Sequence, residues 1–259
     1  MKTALITGAS AGIGMELARV LAKAGHSLVL VARSEEKLSD LKSELEKNHK
    51  VKVDYLVKDL SEKNSCRDVF EAIQQSKIEV DVLINNAGFG DFGDFSTANW
   101  EKLDKMIQLN IAALTQLTKL FLPKMIANRY GRIMNVASVA AFQPGPFMAV
   151  YFATKAYVLS FSEALSGELK DSGVTVTALC PGPTESNFME VSNMSESTLI
   201  KGKKFPSSFS VAEYGYLSMM RGKTVAIHGT GNYFLANLNR FVPRKWVVGI
   251  ASKMMRKVN

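Results

Sequence analysis

Cysteine and histidine are scarce in this chain of 259 residues, with two of the first and three of the second. Cys66 and Cys180 cannot build a disulfide framework, and no second pair of thiols exists for a zinc site. His26, His49 and His228 are scattered without metal-ligand spacing, so no metal is expected. Both thiols read as buried and reduced, which points to the cytoplasm. A signal core is lacking too: Met1-Lys2 runs straight into Thr3-Ala4-Leu5-Ile6-Thr7, which is too short and too polar for one. Residues 133–154 carry no charge, but Gln143-Pro144-Gly145-Pro146 would kink a membrane helix. That stretch reads as a buried strand, a turn and the start of a helix.

Acidic residues are nearly absent from the last quarter of the chain. Residues 201–259 hold 11 Lys and Arg and one acid, Glu213, whereas residues 1–200 hold 21 basic and 23 acidic residues. The net charge of +8 is therefore a C-terminal feature. No basic motif interleaved with aromatics is seen, which argues against nucleic acid as a partner. What remains is an ordinary globular composition, 47% hydrophobic and 22% charged, with length enough for a sizeable core.

Two kinds of segment alternate along the first 180 residues. Short β-branched apolar runs occupy residues 4–6, 27–31, 51–57, 80–84, 132–136 and 174–179, with a seventh strand at 224–228. Helix-patterned segments lie between them, at 12–24, 34–48, 61–75, 99–128 and 151–171. Gly25 suits a helix C-cap and Ser61 an N-cap. Such alternation predicts an α/β fold: one doubly wound (Rossmann) domain over 1–259, with a mostly seven-stranded parallel sheet and helices on both faces. The apolar runs are nearly continuous, as expected of strands covered on both sides. No linker, repeat or low-complexity tract divides the chain.

The first strand ends in Thr7-Gly8-Ala9-Ser10-Ala11-Gly12-Ile13-Gly14, and a helix follows. Glycines there allow a tight turn and close backbone approach, and the helix N-terminus presents free N–H groups to a pyrophosphate. The spacing is Gly-x-x-x-Gly-x-Gly rather than the common Gly-x-Gly-x-x-Gly. Gly8, Ser10, Gly12, Ile13 and Gly14 are the candidate contacts. The second strand ends in Val31-Ala32-Arg33, where an acid would hydrogen-bond the ribose of NAD. Ala32 cannot do so, but Arg33 can pair with a 2′-phosphate, so the expected cofactor is NADP(H). A plain solvated surface charge is the alternative for Arg33.

Tyr151 and Lys155 stand four apart and share a helix face. A phenol with a pKa near 10 is a poor base at neutral pH, and a neighbouring ammonium would stabilise its phenolate. Such a tyrosine exchanges a proton with a carbonyl or alcohol oxygen as hydride moves. The bare pair is common on ordinary helices, but this one follows the fifth strand, near the carboxyl edge of the sheet where ligands bind. Ser138 lies just past that strand and can hydrogen-bond the substrate oxygen. Asn110 sits among Ile107, Leu109, Ile111 and Leu114, and a surface asparagine is its bland alternative.

Over residues 1 to about 190 the chain resembles the short-chain dehydrogenase/reductase family. The resemblance rests on the Thr7–Gly14 turn, Asp59-Leu60, Asn85-Asn86-Ala87-Gly88, Asn110, Ser138, Tyr151, Lys155 and Pro181-Gly182-Pro183-Thr184. It implies that Tyr151 is the acid/base and that Lys155 binds the nicotinamide ribose and tunes the tyrosine. Ser138 would orient the carbonyl, and Asn110 would hold a water relaying protons from Lys155. Asp59 and Leu60 would contact adenine. Asn86, Ala87 and Gly88 would line the cofactor, and Pro181, Gly182 and Thr184 would flank the nicotinamide. The implied activity is hydride transfer between the nicotinamide and a carbonyl/alcohol pair. The rivals are a nucleotide-binding sensor without chemistry and an epimerase or dehydratase. The full tetrad argues against the first. The second would bring sugar-nucleotide features and a longer chain.

The chain continues about thirty residues past the seventh strand, and 230–259 reads as a basic helical extension. Pro243 suits a first helical turn, after which Trp246, Val247, Ile250 and Met254 form an apolar stripe. That helix either packs on the domain or a sister subunit, or lies on an anionic membrane surface. The extension argues for a dimer rather than a tetramer, through the helices holding Asn110 and Tyr151. Residues 185–209 read as a cover over the substrate, including Phe188, Met189, Val191, Met194, Leu199, Ile200, Phe205 and Phe209. With Phe89, Phe92, Phe95, Phe142, Phe147 and Met148 they suggest an adaptable apolar pocket for a 3-oxoacyl thioester, a bulky ketone or an aldehyde. Lys201, Lys203 and Lys204 could meet an acyl-carrier phosphate.

Overall fold

A computed structural model gives the protein's structure and describes residues 2–186, 188, 192, 204–238 and 241–255. Seven parallel strands form one sheet in the order β3-β2-β1-β4-β5-β6-β7: β1 Thr3–Thr7, β2 Ser27–Ala32, β3 Val53–Val57, β4 Val82–Asn85, β5 Gly131–Val136, β6 Val174–Cys180 and β7 Val225–Ile227. Every pairing is parallel, so each connection is a crossover. The strand order reverses between β1 and β4, which opens a crevice beyond their carboxyl ends.

Two apolar layers cover the sheet. On one side α1 (Gly12–Lys23), α2 (Glu35–His49) and α7 (Ser208–Met220) pack Leu17, Leu21, Leu38, Leu45 and Met219 against Ile6, Leu30 and Ile84. On the other side α3 (Ser65–Gln75), α5 (Leu114–Ala127) and α6 (Ala149–Glu168) pack Val69, Ile73, Leu117, Phe121 and Leu165 against Leu5, Leu83 and Ile133. Burial of both faces explains why the strands read as continuous apolar runs rather than alternating ones.

The segment at 99–128 is more than one helix. It divides into α4 (Trp100–Ile107), a π-helical turn at Gln108–Ala113 and α5. Helix α3 begins at Ser65 rather than 61, because Ser61 turns its N–H and hydroxyl to Asp59 Oδ1 at 3.0 and 2.7 Å. Asn64, at φ 69°, precedes the helix instead. Helix α6 starts two residues before Tyr151, which places that residue in the first turn. Residues 133–154 form most of β5, a 3₁₀ turn and the beginning of α6, as expected. Among the described residues no helix is long and apolar enough to cross a membrane, and no cluster of metal-ligand residues occurs.

Beyond β7 come α8 (Thr230–Leu238) and α9 (Arg244–Met254). The apolar stripe expected on α9 splits in two. Val247, Ala251 and Met255, spaced i, i+4, i+8, are buried; Trp246, Ile250 and Met254, on the neighbouring face, are exposed. Val247 alone of the expected stripe packs inward.

Candidate active site

The crevice at the switch point holds a cleft of about 690 Å³. Its floor is the glycine turn after β1. Gly8 and Gly12 have φ of +65° and +55°, which an L side chain adopts only with strain. A Cβ on Gly14 would come 2.3 Å from the Gly8 carbonyl oxygen, so helix and turn can meet this closely only through glycine. Ala11, the residue that caps α1, makes no side-chain cap hydrogen bond, which leaves the N–H groups of the first turn facing the cleft. The turn is tied to the β4 loop. Thr7 Oγ1 accepts from the N–H groups of Asn86 and Ala87 at 3.0 Å each, and Asn86 Nδ2 donates to the carbonyls of Thr7 and Gly8 at 3.0 and 3.2 Å. The expected residues Gly8, Ser10, Gly12, Ile13, Arg33, Asp59, Leu60, Asn86, Ala87 and Gly88 all line the cleft, whereas Gly14 lies behind it.

At the end of β2 the Arg33 side chain is 78% exposed, and its guanidinium stands 3.8 Å from Asp59 Oδ2. Burial alone would raise the Asp59 carboxyl. The Ser61 hydrogen bonds and the charges of Arg33 and Lys105 outweigh it and hold the group below the usual carboxylate range. An exposed pair at this distance is worth little, so Arg33 can turn to another anion at small cost. These features fit a dinucleotide: glycines where its pyrophosphate must approach, a helix N-terminus, and a basic side chain next to Ala32, which takes the place of an acid at the end of β2.

At the other end, Ser138, Tyr151 and Lys155 converge. Ser138 sits after β5, with its Oγ accepting from Ala140 N–H at 3.1 Å and donating toward Pro181 O at 3.4 Å. The Tyr151 phenol lies beside it. Burial pushes the Tyr151 phenol up to about 12, a rise that the Ser138 contact opposes. The lowering expected from Lys155 does not arise here: that ammonium lies 5.7 Å from the ring centroid and donates to Val136 O at 2.7 Å. Burial lowers Lys155 to about 8, with the neighbouring Cys180 acting in the opposite direction. A phenol in this state is protonated at neutral pH and has a proton to give.

Asn110 is buried in the π-helical turn and is no surface residue. Its Oδ1 accepts from Phe89 N–H at 3.1 Å, and its Nδ2 donates to Phe89 O and Thr154 Oγ1 at 3.0 and 3.1 Å. A Cβ on Gly88 would stand 2.9 Å from Asn110 Oδ1 and 3.6 Å from Lys155 Nζ, so glycine keeps the gap between them clear. Thr184, Pro181 and Gly182 line the same end, with Thr184 Oγ1 donating to Gly182 O at 2.9 Å.

The apolar wall draws on Phe89, Met148 and Phe188, as anticipated, and on Phe152, Val247 and Met255, which were not. Phe92 and Phe147 pack behind this wall, Phe142 packs under Val158 and Cys180, and Phe95 and Phe209 face solvent. Met189, Val191, Met194, Leu199, Ile200, Lys201 and Lys203 lie outside the described residues, as does most of the expected cover. Lys204 is exposed and is not part of the cleft. Asn232 on α8 was also missed. It donates to His228 O at 2.7 Å and lines the cleft against Gly182, where a Cβ would meet its side chain at 2.5 Å. Only the Gly229-Thr230-Gly231-Asn232 run hinted at it.

Comparison with known proteins places this geometry. The family model described as short chain dehydrogenase matches residues 2–197. The chain is 34% identical over 200 residues to a very-long-chain 3-oxoacyl-CoA reductase of Anas platyrhynchos, covering 74% of this chain and 62% of that protein. Among solved structures, it superposes on a short-chain dehydrogenase from Sphingobium yanoikuyae in complex with NADPH (TM-score 0.83, 30% identity, 100% of this chain and 98% of that one). It also superposes on a bulky-bulky ketone specific alcohol dehydrogenase from Comamonas testosteroni (TM-score 0.80, 30% identity, 100% and 96%). The protein belongs to the short-chain dehydrogenase family, enzymes that act on alcohol and ketone groups.

Proposed function

We propose that this protein is an NADP(H)-dependent carbonyl reductase, reversible as an alcohol dehydrogenase, acting on bulky apolar carbonyl compounds. One observation carries the reading: Ser138 and the buried pair Tyr151 and Lys155 stand between a glycine turn with an exposed basic side chain beside it and an apolar wall. Ala32 and Arg33 at the tip of β2 support NADP(H) over NAD(H), as does the relative in complex with NADPH. Gly8, Ser10, Gly12 and Ile13 would receive the pyrophosphate, Asp59 and Leu60 the adenine, and Asn86, Ala87 and Gly88 the ribose side. Pro181, Gly182 and Thr184 would flank the nicotinamide, which supplies the hydride when bound.

Tyr151 then gives its hydroxyl proton to the substrate oxygen as the carbonyl becomes an alcohol, and takes it back in the reverse direction. Ser138 holds that oxygen. Lys155 binds ribose hydroxyls and, as an ammonium, stabilises the phenolate left on Tyr151. Lys155 then passes a proton to that phenolate, and Asn110, fixed by Phe89 and Thr154, aligns the path by which Lys155 regains it. The wall of Phe89, Met148, Phe152, Phe188 and Met255 favours a large apolar substituent, in keeping with the bulky ketone and 3-oxoacyl chemistry named for the two relatives.

The fold is one domain in this reading, and the enzyme is a cytoplasmic dimer. Two buried thiols suit a reducing compartment, and α5 and α6 present a shared face where Tyr157 bonds Thr115 and stacks on Phe161. Titration of the protein with NADPH and NADH, followed by nicotinamide fluorescence, tests the core of the proposal. NADPH is expected to bind at least about tenfold more tightly, with Arg33→Ser abolishing the preference. Equal binding of the two would remove the role given to Arg33.

A further inference from the structure

Helices α8 and α9 place a second apolar surface on the outside of the cleft. Phe234, Phe241 and Trp246 point to solvent at 67, 84 and 68% exposure. Leu235, Leu238 and Ile250 are also exposed, yet they line the cleft as well. They therefore form its rim: the same side chains belong to the inner wall and to the outer patch. Large apolar groups gathered at one opening mark an interaction surface rather than scattered exposure.

The charge around this patch is of one sign. Residues 230–259 contain Arg240, Arg244, Lys245, Lys253, Arg256 and Lys257 and no acid. Arg244, Lys245 and Lys253 are exposed, and Lys253 follows Ile250 by one helical turn. A second copy of this chain fits such a surface badly. Two-fold contact would set the patch against itself and bring like charges together with no carboxylate on either helix to offset them. Exposed aromatic and aliphatic side chains on helices whose described charges are Arg244, Lys245 and Lys253 match instead the acyl boundary and anionic headgroups of a bilayer surface.

We propose that the α8–α9 face docks on an anionic lipid surface, with the mouth of the cleft toward the bilayer, so that an apolar carbonyl substrate enters from the lipid. The substrate route rests on the reductase reading above; the docking does not.

The test uses the full-length protein and vesicles of phosphatidylcholine with or without phosphatidylglycerol. Co-sedimentation is measured at low and high salt, and turnover of a water-soluble ketone is measured in parallel without vesicles. Binding is expected only to the phosphatidylglycerol vesicles, weakened by salt. The double substitution Phe234→Glu and Trp246→Glu should reduce it by about tenfold or more while soluble turnover stays unchanged. Absence of binding to anionic vesicles at low salt, or binding untouched by the substitutions, overturns the docking. So does a fall in light-scattering mass in the double variant, which would mean that a second copy covers the face. Loss of soluble turnover in the wild type would instead count against the reductase reading and leave the docking result standing.

Discussion

At the scale of single residues, the proposed reaction turns on Tyr151. Its hydroxyl lies beside Ser138 in the cleft, and burial keeps it protonated. Tyr151→Phe removes that hydrogen and little else, since the ring packing against Phe152 and Phe188 persists. Turnover is expected to fall by about 10² to 10⁴, with NADPH affinity within about twofold of the wild type. Steady-state kinetics beside a binding titration measures both; a variant as fast as the parent would remove Tyr151 from the mechanism. These residues were legible in the sequence because each stands in a run whose spacing has a mechanical meaning: a strand end, a glycine turn, an i, i+4 pair. Asn232 and Thr154 were not, because each owes its place in the site to a residue distant in the chain, Gly182 for the first and Asn110 for the second. Thr154 meets Asn110 44 positions away, and nothing in either neighbourhood announces the pairing.

Elements are where sequence and structure part most. The sheet was readable from apolar runs alone, within two residues at most ends. The π-helical turn at Gln108–Ala113 was not, because one extra residue in a turn barely disturbs a helical apolar pattern. That turn matters, since Asn110 lies within it and is directed to Phe89 and Thr154 rather than to water. Helix α9 had an expected stripe, but periodicity could not say which side faces inward when both adjoining faces are apolar. The buried side, Val247, Ala251 and Met255, closes the far wall of the cleft, and Met255 packs in one cluster with Met148, Tyr151 and Phe152. Ala251 is the small residue of that stripe, so enlarging it should narrow the pocket. Ala251→Phe is expected to raise KM for a bulky aryl ketone by about tenfold, roughly 1.4 kcal/mol, and to leave a small aliphatic ketone and NADPH binding unaffected. If both ketones behave alike, α9 is not part of the substrate wall.

At the scale of the whole molecule, the site is held at a cost to stability. Lys155 is buried among apolar groups and drops to about 8, whereas in the unfolded chain it returns to its ordinary value of 10.5. Between those two pH values the unfolded chain holds a proton that the folded protein lacks, so stability rises with pH across that window. Below about pH 8 the ammonium is present in both states, and the full penalty for burying it applies. Tyr151 acts in the opposite sense higher up: raised from 10.0 to about 12, it holds a proton that the unfolded chain has lost, and stability falls over that range. The cofactor-free protein should therefore gain stability from pH 8 toward pH 10, by at most about 3 kcal/mol from Lys155. Thermal unfolding at several pH values, compared with Lys155→Met, isolates this contribution from the other lysines. The variant is expected to be more stable than the parent at pH 7, with the difference closing by pH 10. A constant difference across that range would mean that Lys155 keeps its proton inside the fold, held by Val136 O and by charge not seen in its surroundings.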